Sequence, residues 1–206
     1  MKKLTIIGAS GHGRVVADIA KLNGYNDIVY LDDNENVKAC GKYPVVGKVC
    51  EAVFHDNDIF VAIGNASIRK RIMEQFPGKT FPVLIHPDAV VAEGVKVGKG
   101  TVIMAGAIIN TDATIGEGCI INTASSVDHD CQVGNFVHVA VGAHLCGTVS
   151  VGNETWIGAG VTVSNNISIC ENCMVGAGSV VVRNVTEKGT YIGVPAKLKI
   201  NSNYNQ

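Results

Sequence analysis

Two stretches of this sequence carry residues whose types and spacing suit chemistry. The first is Asp128-His129-Asp130. Imidazole titrates near neutral pH and can take a proton from an attacking nucleophile. A carboxylate beside it orients the ring and stabilises the imidazolium that forms. Neighbours on a strand face opposite ways, so Asp130 reaches back to His129 only at a corner, and Asp128 stands as the other partner. A solvated histidine between two aspartates is the plain alternative. The second stretch is Gly8-Ala9-Ser10-Gly11-His12-Gly13, directly after the apolar run Leu4-Thr5-Ile6-Ile7. A glycine-rich turn from strand to helix turns its N–H groups toward an anion such as phosphate. Asp32, followed by Asp33, comes about 20 residues later, where an acidic strand end can accept from a sugar hydroxyl. Glycines that merely make a tight turn would give the same letters.

The elements that must hold these residues are of two kinds. From Ile85 to Val181 every sixth residue is aliphatic, through Val91, Val97, Ile103, Ile109, Ile115, Ile121, Val127, Val133, Val139, Leu145, Val151, Ile157, Val163, Ile169 and Val175. The fifth position of each hexapeptide is small or aliphatic (Ala107, Ala113, Cys119, Ser125, Cys131), and glycine often stands second (Gly98, Gly116, Gly134, Gly152, Gly158, Gly176). Such a register predicts short strands joined by tight corners, three hexapeptides to a triangular coil and a little under six coils, with strands stacked in parallel about 4.8 Å apart. A β-helix that is only a scaffold tends to be monotonous outside; here the outward positions vary, and His129, His138 and His144 crowd into adjacent coils.

Before the repeats, strands are expected at Leu4–Ile7, Ile28–Leu31 and Asp58–Ile63, with helices over Arg14–Asn23 and Ser67–Gln75. Gly24 ends the first helix. This order predicts a small parallel sheet of Rossmann type over residues 1–82, and Phe81-Pro82 marks the join to a second domain over 83–206. The glycine spacing is G-x-x-G-x-G rather than G-x-G-x-x-G, and the segment is half a dinucleotide fold, so a single nucleotide fits better than NAD.

Composition narrows the class. With 47% hydrophobic residues and a net charge of −1, the chain is neither disordered nor basic enough for a nucleic-acid or anionic-membrane footprint. Twenty-four glycines and only 5% aromatics suit a narrow, regular interior. The apolar N-terminal run is too short for a signal-peptide core, and the seven cysteines form no disulfide framework, which points to the cytoplasm. Cys170 and Cys173 make one C-x-x-C without a second pair at zinc spacing; buried reduced thiols are the better reading, and no metal is expected.

The two halves together resemble the hexapeptide-repeat sugar acyltransferases, the sialic acid O-acetyltransferase-like family, with the nearest likeness to the bacterial UDP-4-amino-4,6-dideoxy-sugar N-acetyltransferases of the bacillosamine pathway. The likeness rests on Gly8-Ala9-Ser10-Gly11-His12-Gly13, Leu31-Asp32-Asp33, Ala62-Ile63-Gly64-Asn65 with Ile68-Arg69-Lys70, Asn122-Thr123-Ala124-Ser125-Ser126-Val127-Asp128-His129-Asp130-Cys131, and Gly193-Val194-Pro195-Ala196-Lys197. It implies a left-handed parallel β-helix after the Rossmann-like domain, a homotrimer with active sites between subunits, and acetyl-CoA as co-substrate. It makes His129 the general base and Asp130, where a Glu is familiar, the group that raises its basicity. It assigns the nucleotide-sugar to Ser10, Gly11, His12, Asp32, Asp33, Gly64 and Asn65. Acetyl-CoA falls to His138, with Gly147, Ala159 and Ala177 lining the pantetheine groove; Lys197 could meet its phosphates. His144 and His86 match no role. The implied reaction is acetyl transfer to the 4-amino group of a UDP-linked amino-deoxy sugar by direct attack. O-acetylation of sialic acid or another sugar hydroxyl, a GDP-linked amino-sugar, and a non-catalytic nucleotide-sugar scaffold are the alternatives. Serine- or maltose-type acetyltransferases lack such an N-terminal domain. Trp156 falls 18 residues after His138, one coil along at the same outward position, beside the expected groove.

Overall fold

The computed structural model describes residues 2–199. Strand β1 (Lys2–Ile7) buries Leu4, Thr5, Ile6 and Ile7 in succession, as a central strand covered on both faces requires. After Gly8, helix α1 (Gly11–Leu22) presents a buried stripe of Val16, Ala17, Ile19 and Ala20. Its C-cap Asn23 donates from one amide nitrogen to Ile19 O at 2.9 Å and to Ile85 O at 2.8 Å, so the helix end is tied to the first coil. Strand β2 (Tyr25–Leu31) lies parallel to β1. A hairpin of β3 (Ala39–Cys40) and β4 (Tyr43–Gly47) follows, with β4 parallel beside β2, and then a short 3-10 helix, Val49–Phe54. Strand β5 (Asp58–Val61) pairs with the other side of β1, and α2 (Ala66–Gln75) completes the unit. The sheet order is β3-β4-β2-β1-β5, a small Rossmann-like sheet. It exceeds the sequence expectation by the hairpin: Pro44 lies inside β4, and a proline argues against a strand. Helix α1 also starts three residues early, at Gly11, because the glycines themselves adopt helical turns.

The repeats form a parallel β-helix with three faces. Face I stacks Leu84–Ile85, Val102–Ile103, Ile120–Ile121, His138–Val139, Trp156–Ile157 and Met174–Val175, and is extended by Thr190–Ile192 and Lys197–Leu198. Face II stacks Val90–Val91, Ile108–Ile109, Ser126–Val127, His144–Leu145, Thr162–Val163 and Val180–Val181; face III stacks Lys96–Val97, Thr114–Ile115, Gln132–Val133, Ser150–Val151 and Ser168–Ile169. The chain runs I to II to III and back to I. Ladder partners sit 18 residues apart, as Ile120 with His138 and His138 with Trp156. In every strand the aliphatic second residue points inward: Ile103, Ile109, Ile121, Val127 and Val139 are fully buried, and the fifth-position Ala107, Cys119 and Cys131 pack beside them. Each such Ile or Val contributes about 1.5–3 kcal/mol by leaving water.

The corners obey a rule the sequence hides. From Gly94 to Gly178 the fourth residue of each hexapeptide has positive φ, and eight of these are not glycine, among them Ala124, Asp130, Phe136, Thr148 and Glu154. A left-handed residue with a Cβ costs roughly 1–2 kcal/mol. Bonds between coils hold it: Asp130 N donates to Thr111 O, and Thr148 N to His129 O. The second-position glycines serve another purpose. A Cβ on Gly134 would lie 2.6 Å from Asn153 Oδ1 of the next coil, so glycine is there for close stacking, not for φ.

Along face I the outward column changes character. Leu84, Val102 and Ile120 are at most 1% exposed because α1 and β1 pack over them, whereas His138, Trp156 and Met174 emerge at 8%, 37% and 48%. The small sheet thus covers the first coils and leaves a shelf above.

Candidate active site

His129 stands at the edge between faces II and III, in the corner after Val127. Its Nδ1 is 2.7 Å from Asp130 Oδ2. Asp130 reaches back because it is a fourth-position residue with φ of 59°. Asp128 is engaged otherwise: its Oδ1 accepts from Asn110 Nδ2 at 2.7 Å and from the His129 backbone N–H at 2.8 Å. The hydrogen bond to Asp130 raises the pKa of His129, with help from the charges of Asp128 and Asp130. The bond from Asn110 holds the Asp128 carboxyl below its ordinary value. With Nδ1–H donated to Asp130, Nε2 keeps a lone pair free for a proton. One coil along, Gly147 lies beneath the ring: a Cβ there would come within 2.6 Å of His129 Cε1 and Nε2. The ring occupies that space because residue 147 has no side chain.

A second histidine site lies on the opposite face. His138 projects from face I into a cavity of about 370 Å³, lined also by Gly64, Asn65, Ala66, Ser67, Glu154, Trp156, Asn172, Met174 and Thr190. The Trp156 ring sits 4.6 Å from it, centroid to centroid. Asn122 Nδ2 is 3.0 Å from His138 Nε2. With that amide assigned as donor, the neutral ring carries its proton on Nδ1, which is buried and without a protein partner. His12 Nε2 is likewise buried and unpartnered. Burial first, and then the Arg69 guanidinium, push His138 down to about 3 and His12 to about 4, so both rings are neutral at physiological pH. Two unmatched buried nitrogens are costly unless a ligand meets them.

A neighbouring pocket, of about 250 Å³, is lined by Gly8, Asp32, Asp33, Val49, Ile63, Ile68, Arg71, Ile72 and Gln75. Asp32 bridges two backbone groups, Ala9 N–H to Oδ2 at 2.7 Å and Asn34 N–H to Oδ1 at 2.9 Å, and so fixes the glycine turn. Asp33 Oδ1 accepts from Val49 N–H at 3.0 Å. Asn65 caps α2, its Oδ1 accepting from Ile68 N–H at 3.0 Å. Ser10 occupies the N-cap of α1 without a side-chain cap bond, exposed beside Gly11.

The residues singled out from the sequence therefore form three groups. His129, Asp130 and Gly147 share the II–III edge. His138, Gly64 and Asn65 share the face I cavity, with His12 buried alongside, and Asp32 and Asp33 line the neighbouring pocket. Ala159 and Ala177 stack, exposed, at the I–II edge. Lys197 is exposed in the last strand, His86 Nδ1 accepts from Asp88 N–H in a turn at the join, and His144 Nδ1 lies 2.9 Å from Ser126 Oγ on face II. Cys170 Sγ and Cys173 Sγ are 3.3 Å apart as free thiols, and no cluster of three metal-ligating side chains occurs among the described residues. Sequence reasoning missed Asn110, Asn122, Glu154 and the burial of Arg69. The 18-residue coil spacing that places Trp156 over His138 would also have paired Asn110 with Asp128.

A parallel β-helix of hexapeptides joined to a Rossmann-like sheet, with an acid-backed histidine at a coil edge, is the architecture of a hexapeptide-repeat transferase. Residues 3–76 match the PglD N-terminal domain family, and residues 148–183 match the bacterial transferase hexapeptide (six repeats). The chain superposes with a TM-score of 0.93 on the acetyltransferase domain of PglB from Neisseria gonorrhoeae FA1090 in complex with acetyl coenzyme A, at 40% identity over 96% of this chain and 99% of that one. PerB from Caulobacter crescentus, solved with CoA and GDP-perosamine, gives 0.92 at 36% identity over 97% and 98%. A UDP-N-acetylbacillosamine N-acetyltransferase of Bacillus subtilis (strain 168) is 38% identical over 115 residues, 51% of this chain and 52% of that protein, so the match spans about half the length of this curated relative. The chain belongs to the hexapeptide-repeat family that includes these acetyltransferases. No helix of the described residues is long and apolar enough to cross a membrane.

Proposed function

We propose that the chain transfers the acetyl group of acetyl-CoA to the 4-amino group of a nucleotide-linked amino-deoxy sugar, in the cytoplasm. The observation that carries this reading is the His129–Asp130 pair, 2.7 Å apart, with the ring lying over Gly147. In the reaction the sugar amine attacks the thioester carbonyl carbon, His129 Nε2 takes the proton the nitrogen sheds, the C–S bond breaks, and CoA leaves as the thiol after regaining a proton. Asp130 stabilises the imidazolium. The nucleotide is assigned to the pocket of Gly8, Asp32 and Asp33, its phosphates to the turn of Ser10, Gly11 and His12, and the sugar to the passage by Gly64 and Asn65; acetyl-CoA is assigned to His138, Gly147, Ala159 and Ala177. A uridine carrier is favoured by the likeness to the bacillosamine enzyme; PerB, solved with GDP-perosamine, keeps guanosine as the second reading.

The division at residues 82 and 83 assigns nucleotide binding to the first unit and chemistry to the second. Within one chain, though, the II–III edge points away from face I, because the third edge of a triangular coil lies opposite it. Bringing His129 to a substrate held at Gly64 and His138 requires a second copy, whose II–III edge packs against this copy's face I and I–II edge. That supports a homotrimer with composite sites. The test is thiol release from acetyl-CoA with UDP- and GDP-linked 4-amino-sugars and free sialic acid as acceptors. His129→Ala should lower kcat about 10²–10⁴-fold; near-normal turnover in this variant would overturn the assignment of the base.

A further inference from the structure

Arg69 is 1% exposed, and no carboxylate pairs with it among the described residues. Its guanidinium donates instead to four backbone carbonyls. Nε reaches Gly118 O at 2.6 Å and Nη2 reaches Phe136 O at 2.9 Å; Nη1 reaches both Ile63 O at 2.7 Å and Gly64 O at 2.9 Å. Gly118 and Phe136 are fourth-position corners of consecutive coils on the III–I edge, with φ of 62° and 58°. Ile63 lines the pocket of Asp32 and Asp33, and Gly64 lines the His138 cavity. One nitrogen therefore holds the boundary between the two cavities while the rest of the fork holds the β-helix. A charge is buried this deeply only when its donors are satisfied, and carbonyl dipoles do that here. Burial lowers the group to about 10, still charged near neutrality.

We propose that Arg69 is a positioning residue: it fastens the Ile63-Gly64 loop to two stacked corners of the β-helix, fixes the offset between the nucleotide-side pocket and the His138 cavity, and presents a fixed positive charge to His12 and His138. Lysine does not substitute for it, because a single ammonium on a flexible stem cannot span four carbonyls in a planar fork. The titratable and charged groups around this cluster are His12 from α1, Lys70 from α2, and Cys119, His138, Glu154 and Cys173 from the β-helix. Lys70 and Glu154 pair at 2.8 Å, which leaves Arg69 the unneutralised cation beside the two rings.

Three measurements on Arg69→Lys and Arg69→Met test this, and only the third rests on the proposed function. Amide exchange over residues 62–67 should quicken by about tenfold or more, as lost charge-assisted bonds predict, while coils 103–133 keep their protection. In Arg69→Met the His138 ring, followed by NMR, should protonate at higher pH than in the wild type. Calorimetric titration should find UDP or GDP bound about tenfold more weakly than by the wild type, since the Ile63-Gly64 loop beside the nucleotide-side pocket is released. Unchanged exchange and unchanged ring titration in a folded variant would overturn the proposal. Equal loosening of loop and coils, or failure of both variants to fold, would make Arg69 a folding residue only, which also overturns it. A wild-type protein that binds neither UDP nor GDP would count against the functional reading, and the first two measurements would still decide the role of Arg69.

Discussion

His129 and His138 lie within a few strands of each other and occupy opposed environments. His129 is half exposed at an edge, with a carboxylate on Nδ1 that raises its pKa. His138 is 8% exposed on a face, stacked under Trp156, with an unpartnered Nδ1 and a guanidinium nearby that, after burial, keeps it neutral. Solvent and the sign of the nearest charge decide what each imidazole can do. The edge ring can gain a proton and be stabilised as a cation; the face ring is a fixed neutral hydrogen-bonding group. A coil that repeats its backbone every 18 residues therefore need not repeat its chemistry, because edges and faces of one prism differ in access to water.

Gly147 is the residue on which the position of the edge ring depends most directly. Gly147→Ala places a methyl 2.6 Å from the His129 ring and must swing it aside, while the backbone at 147 does not need positive φ. Turnover should fall about 10²-fold from misplacement, with Tm nearly unchanged; equal turnover would mean the ring's position over this residue is unimportant. A smaller effect is expected for Asp130→Asn. It removes the group that raises His129, so the acid limb of the kcat/KM profile should move to lower pH and the rate should drop about tenfold. An unmoved limb would assign the titration to another group.

The face site makes a prediction about stability. His12 and His138 have folded values of about 4 and about 3 against 6.5 when unfolded, so between those limits the unfolded chain binds more protons. Stability should therefore fall as pH drops from 6.5 toward 4, by at most about 1.4 kcal/mol per pH unit for each ring. His138→Gln should flatten that slope in a series of thermal melts; an identical slope would show that the ring is not held neutral. The smallest expected signal is optical. CoA should alter Trp156 fluorescence if the face I shelf carries part of the cofactor, and an unchanged emission at saturating CoA would remove Trp156 from that groove.

Much of this was legible because the hexapeptide rule is unbroken. Interior residues, faces and the stacking of Trp156 on His138 follow from counting. The choice between Asp128 and Asp130 did not follow, because it depends on φ at a corner whose occupants range from Gly to Phe136 and Glu154, with no shared letter to mark it. Arg69 was opaque for a different reason. In Ile68-Arg69-Lys70-Arg71 it reads as part of a solvated helix face, and only the approach of two coil corners supplies the carbonyls that bury it. The hairpin was lost to Pro44, which the small sheet accommodates near its edge.

The 18-residue repeat also makes the β-helix a ruler. Excising one whole coil, such as 148–165, would leave each remaining residue on its own face or edge and draw Arg183 toward His129 by one step of about 4.8 Å. Excising a single residue would instead rotate everything after it out of frame, turning interior valines outward. Groove length in this fold is thus quantised: it can change by a coil but not by a fraction of one, which fixes in whole steps how long a ligand arm each edge can accompany.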